Sequence, residues 1–145
     1  VYTPDGRLEF RVQGEHAQHF PDTDTLEVIR PRLTKLDEAG RVTDATAQQA
    51  ITTPEGQRVE LKGQVMVQRA MPTDAQGRRS PAVELRSDYL FIDLEHDRMR
   101  TDQPVEMRRG EDRFSADAMD YDHEQGVTRL TGRVRAQIQP RTTGR

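Results

Sequence analysis

Val59-Glu60-Leu61-Lys62-Gly63-Gln64-Val65-Met66-Val67-Gln68 is the stretch that decides the fold. Val59, Leu61, Gly63, Val65 and Val67 alternate with Glu60, Lys62, Gln64, Met66 and Gln68. Successive side chains of a β-strand point to opposite faces, so this period of two gathers the apolar set on one face. A strand of this kind belongs to an antiparallel sheet with one face on a core and the other in water.

The pattern recurs on both sides. Upstream, Leu8, Phe10 and Val12 alternate with Glu9, Arg11 and Gln13; downstream, Leu130, Gly132, Val134, Ala136 and Ile138 alternate with Thr131, Arg133, Arg135 and Gln137. No window of twelve or more residues keeps apolar side chains at the i, i+3, i+4, i+7 spacing of a helix. Turn chemistry separates the runs, at Pro4-Asp5-Gly6, Pro21-Asp22-Thr23-Asp24, Asp37-Glu38-Ala39-Gly40, Pro54-Glu55-Gly56, Asp74-Ala75-Gln76-Gly77 and Glu124-Gln125-Gly126. The spacing predicts many short strands in meander order. Ala70 to Pro81 is the longest polar break and reads as a loop, too short for a domain linker.

An internal repeat strengthens the all-β reading. A shift of 69 residues lays Leu61-Lys62-Gly63-Gln64-Val65 on Leu130-Thr131-Gly132-Arg133-Val134, and Ala47, Glu55 and Gln68 on Ala116, Glu124 and Gln137. Looser copies run from Gly14 to Leu36, pivoting on Pro31, and from Ser87 to Met107, pivoting near Pro104. Four units of similar rhythm predict a stacked array in which each unit buries its apolar face only against its neighbours.

Composition agrees with that architecture. The 145 residues fit one domain; 32% are apolar, and Leu, Ile, Val and Phe together number 28. That is low for a globular chain, yet 22 basic against 25 acidic residues leave a net charge of only −3, so self-repulsion does not drive disorder. A sheet with one solvated face needs a hydrophobe only at alternate positions, which accounts for a thin core. The longest apolar run, Tyr89-Leu90-Phe91-Ile92, falls far short of the roughly 20 residues a membrane helix needs. Without a Lys/Arg block the chain is not expected to bind nucleic acid or polyanionic membrane surfaces. It has no cysteine, hence no disulfide and no thiolate metal site. Beginning at Val1 without methionine, basic n-region or apolar h-region, it is expected to be a processed or shortened piece of a longer protein.

Candidate chemistry is sparse. His16 and His19 would share one face of a helix, but on a strand they point apart, so no metal site is expected there. Asp120, Asp122 and Glu124 share a strand face running into the Gly126 turn, without the ligand pattern of a helix-loop-helix calcium site. No Gly-x-Ser-x-Gly turn and no phosphate-cradling glycine pattern occurs. Asp93 and Glu95 are a carboxylate pair of the sort that 25 acids give by chance. The expectation is no enzyme, no metal and no cofactor. What remains is the apolar face, which can close as a packed core or take up acyl chains; the pattern alone favours the closed core.

Val1-Tyr2-Thr3-Pro4-Asp5-Gly6-Arg7-Leu8, Arg30-Pro31-Arg32-Leu33-Thr34 and Leu61-Lys62-Gly63-Gln64-Val65-Met66-Val67, in this order and spacing, resemble the LptC family of the lipopolysaccharide export bridge. The resemblance covers about Val1 to Ile138. It implies a periplasmic β-jellyroll over residues 1–139, followed by a C-terminal tail, 140–145. The jellyroll would be an elongated, twisted stack of antiparallel strands, open along one side, with an apolar groove for the acyl chains of lipid A. It also implies an inner-membrane anchor helix ahead of Val1. In the family, lipopolysaccharide arrives from the inner-membrane ABC transporter (LptB, LptF, LptG) and passes to the bridge protein LptA.

Combined with the alternation, the resemblance yields site expectations. Phe10, Val28, Leu33, Leu61, Val65, Val67, Leu130, Val134 and Ile138 would line the groove. Gly6, Leu8, Phe10 and Val12 would form the transporter-side edge, with Gly6 matching the turn glycine of the family's Pro-Asp/Glu-Gly motif. Val134, Ala136 and Ile138 would form the LptA-side edge, since open strand edges offer main-chain hydrogen bonds to a neighbouring jellyroll. Val28 matches a groove position that is often aromatic in the family. A second family glycine falls near Gln103 or Pro104 and is missing. Two alternatives stay open: a soluble LptA-like bridge protein, and a carbohydrate-binding or glycan-acting β-domain using the acidic turns.

Overall fold

A computed structural model describes residues 10–36, 42–53, 57–70, 83–122 and 124–139, and those residues hold fourteen β-strands and no helix. In chain order the strands are β1 (Phe10–Gln13), β2 (His16–Phe20), β3 (Thr25–Ile29), β4 (Arg32–Leu36), β5 (Val42–Thr46), β6 (Gln49–Thr52) and β7 (Arg58–Ala70). They continue as β8 (Val83–Asp93), β9 (Arg98–Thr101), β10 (Val105–Arg109), β11 (Asp112–Ala116), β12 (Ala118–Asp122), β13 (Val127–Thr131) and β14 (Arg135–Gln137). All pairings are antiparallel.

The strands line up as bent rows: β1 with β2, β3 with β4, β5 with β6, then β7 and β8 as single long rows, then β9 with β10, β11 with β12, and β13 with β14. One half of every row joins the sheet β1-β4-β5-β7-β8-β10-β11-β14. The other half joins β2-β3-β6-β7-β8-β9-β12-β13. The two halves share β7 and β8 and meet along a crease, so the sheet folds onto itself without closing into a barrel.

The crease is made by local backbone chemistry. Gly63 (φ 80°) and Gln64 (φ 48°) bulge β7 where the register with β8 shifts between Lys62 and Val65. Gly132 (φ 80°) and Arg133 (φ 43°) turn the last row at the same level, and Arg30 (φ 50°) precedes the buried Pro31 in the second. Left-handed backbone cannot continue a ladder, and a bulge bends its strand. The pivots expected at Pro31 and near Pro104 are corners of this crease.

The core lies between the two halves. From the first come Leu33, Ala45, Val67, Leu85 and Val105; from the second Val28, Ala50, Leu61, Leu90 and Met119. Leu61, Leu90 and Val59 are wholly buried. Each such side chain contributes roughly 1.5–3 kcal/mol from burial.

The sequence reading needs two corrections. The run Leu130 to Ile138 is not one strand: β13 ends at Thr131, the chain turns at Gly132, and β14 spans only Arg135–Gln137. Val134 and Ile138, expected to point inward, are 50% and 64% exposed, because both flank that short terminal strand at the sheet edge. Of the first strand, expected from Leu8 to Val12, the part from Phe10 onward is described and runs to Gln13. Gly6, Leu8, the Phe10 side chain, most of the loop expected from Ala70 to Pro81 and the 140–145 tail lie outside what is described.

Candidate functional site

Along β4, β5 and β7 the inward positions form two successive lines parallel to the crease. Leu33, Ala45 and Val67 are paired neighbours in the first line; one step farther out, Lys35, Thr43 and Arg69 are paired neighbours in the second. The apolar line is buried, and the polar line stands at the mouth, where the strands of the two halves are not paired among the described residues.

Side chains from the opposite half meet it there. Lys35 Nζ lies 3.2 Å from Asp97 Oδ1, with the two side chains 24% and 32% exposed. Arg69 donates from Nη1 to the Tyr121 hydroxyl at 3.0 Å and from Nε to Thr43 Oγ1 at 2.9 Å, and its guanidinium stands 5.7 Å from the centre of the Tyr121 ring. Asp97 sits in the turn between β8 and β9, and Tyr121 follows the core residue Met119 on the same face of β12. The crease is covalent in every row, whereas these mouth contacts are side-chain interactions.

Of the expected groove residues, Val28, Leu33, Leu61, Val65 and Val67 are gathered in the interior, and Leu130 packs partly buried against it. Val12, expected on the first edge, also packs against the core. The described portions of the two expected partner edges stand at opposite ends: β1 pairs only with β4, and β14 only with β11. Lys35, Arg69, Asp97 and Tyr121 were not anticipated. The signal available was a polar residue ending an apolar alternation, as in Leu33-Thr34-Lys35 and Val67-Gln68-Arg69.

A cleft of about 1240 Å³ runs along the crease outside the core, with Arg30, Arg32, Arg86 and Arg135 beside Asp88 and Glu106. Its lining mixes these charges with apolar Pro31, Ala47, Val65 and Val105. At the sixth corner, where the resemblance leaves a glycine missing, Ser87 donates to the Pro104 carbonyl at 2.9 Å and the Gln103 amide donates to Thr101 Oγ1 at 3.1 Å. Gln103 does not have the left-handed backbone that would call for glycine.

The acidic clusters are engaged locally. Asp93 accepts from the amides of Glu95 and His96 and lies 2.9 Å from His96 Nδ1. This hydrogen bond pulls the Asp93 carboxyl below, and pushes the His96 imidazole above, its ordinary range. Glu95 completes a group whose ligand atoms lie within 4.8 Å of one another. Asp120 accepts from Arg98 at 3.1 Å, and Asp122 caps the Gln125 amide. His16 and His19 point to opposite faces of β2, and His19 bonds Asp24 at 3.0 Å.

A family model described as "Lipopolysaccharide-assembly, LptC-related" matches residues 1–139. The chain belongs to the LptC family. Its folded-over sheet is similar to the crystal structure of LptH, the LptA-homologous periplasmic component of the lipopolysaccharide transport device from Pseudomonas aeruginosa, with a TM-score of 0.69. That likeness spans 90% of this chain and 95% of LptH at 12% identity, so it concerns the fold. A search of curated proteins returned no match. As an LptC-family member this chain is a non-catalytic component of lipopolysaccharide assembly, which sets aside the glycan-acting alternative.

Proposed function

We propose that this LptC-family chain is a periplasmic carrier that takes lipopolysaccharide acyl chains between its two sheet halves and hands them to a second jellyroll docked on its C-terminal edge. The observation that supports the reading is the asymmetry of the fold: among the described residues the halves are joined by the chain at the crease and meet at the mouth through side chains. Parting them exposes a continuous lining of Val, Leu and Ala, which suits saturated chains. Because Leu61 and Leu90 are fully buried, uptake replaces protein contacts with lipid contacts on the same apolar surface.

The direction is taken from the family resemblance, with one partner assigned to each end of the fold. In this reading the row β1/β2 offers its outer edge to the supplying transporter (LptB, LptF, LptG), and the row β13/β14 offers its edge to LptA, each completing the neighbour's sheet through main-chain hydrogen bonds. The test is photo-crosslinking in a reconstituted transport system. A crosslinker at Leu33 or Val67 should capture lipopolysaccharide only when the transporter hydrolyses ATP, whereas one at the outward Arg32 or Gln68 should not. Equal capture at inward and outward positions would contradict the reading.

A further inference from the structure

The mouth carries charge where an apolar groove needs none. Leu33-to-Lys35, Val67-to-Arg69 and Met119-to-Tyr121 each step from a buried apolar side chain to a polar one on the same face, at the rim. Lys35 and Arg69 flank Thr43 on adjacent strands, about 10 Å apart at two strand spacings. Both reach across to the opposite half, Lys35 to Asp97 and Arg69 to Tyr121.

We propose that these two pairs are a polar latch across the mouth, and that on opening the freed cations Lys35 and Arg69 bind the phosphate groups of the amphiphile whose acyl chains enter. This rests on the carrier reading above and adds the residues that recognise the headgroup. An amphiphile seated with its chains against Leu33 and Val67 brings its headgroup to the next position outward, where the two cations stand. A phosphate offers each a charge-assisted hydrogen bond to replace the one lost to Asp97 or Tyr121. The exchange leaves neither cation unpaired at the edge of an apolar interior, so opening and loading are coupled.

Two measurements test this. The chain has no cysteine, so Lys35→Cys with Asp97→Cys can be bridged by a reducible bis-maleimide. Bridging should slow uptake of fluorescent lipid A at least tenfold, with full recovery on reduction; uptake at the unmodified rate while bridged would overturn the latch. Affinity is then compared for phosphorylated lipid A and for the same lipid without phosphates. The unmodified chain should prefer the phosphorylated form about tenfold. Lys35→Gln with Arg69→Gln should abolish that preference yet still bind the phosphate-free lipid. Equal affinity of the unmodified chain for both lipids, or a preference that survives the double substitution, would overturn the headgroup assignment. Binding of neither lipid by the unmodified chain would instead overturn the carrier reading, and the latch with it.

Discussion

Gln48 and Asp117, 69 residues apart, occupy equivalent corners of the fold. The Gln48 amide is shared between the carbonyls of Lys62 (3.2 Å) and Gly63 (2.9 Å), and the Asp117 amide between those of Thr131 (3.1 Å) and Gly132 (2.8 Å). In both, the side chain leans over the glycine, where a Cβ would collide with it. The repeat in the sequence is therefore a repeat of a corner.

Alanine at Gly63 should cost about 2 kcal/mol, since it meets both the left-handed backbone and the Gln48 side chain. Gly126 has a similar φ of 66° but open space around it, so alanine there should cost about 1 kcal/mol. Urea unfolding of the two variants checks the order; equal losses would show that the corner contact adds nothing.

Leu61→Ala should lose about 3 kcal/mol, because a wholly buried side chain leaves a cavity between the halves. Val134→Ala should stay within about 0.5 kcal/mol, since half of that side chain is already in water. If Val134 contacts the receiving jellyroll, its substitution weakens LptA binding while thermal unfolding is unchanged.

The Asp93–His96 pair makes the β8–β9 turn respond to pH. His96 is raised, so its contribution is complete below the ordinary histidine value of 6.5 and is lost as pH rises through its folded value. Asp93 is lowered, so its contribution is complete above its ordinary 3.8 and is lost as pH falls through its folded value. Following His96 by NMR should show a titration above 6.5 that moves down in Asp93→Asn; an unchanged midpoint would rule out the pair as the cause.

Proline scanning tests the C-terminal edge. Adjacent N–H groups of an edge strand point alternately into the sheet and out of it. Of Ala136→Pro and Gln137→Pro, one should therefore keep normal stability yet lose LptA in a pull-down, while transporter binding persists. Retention of LptA by every folded variant would remove this edge from the relay.

Much of the architecture was legible because the period-two alternation at Val59 to Val67 depends only on which face is buried. The crease was legible only as a rhythm: Gly63 and Gly132 keep their place in the alternation, so nothing in the pattern separates a bulge from an ordinary inward position. Leu130 to Ile138 was misread for that reason. The mouth was hidden further, because Lys35 and Asp97 are 62 residues apart and meet only once the halves fold together.

The central claim is that acyl chains occupy the space between the halves. Methyl-labelled Leu and Val, with lipopolysaccharide carrying protonated acyl chains in an otherwise deuterated sample, report this through intermolecular NOEs. Contacts from acyl methylenes to Leu61, Val67, Leu85 and Leu90 are predicted. Contacts confined to the exposed Leu36, Val42 and Val134, with the interior methyl signals unmoved, would contradict it.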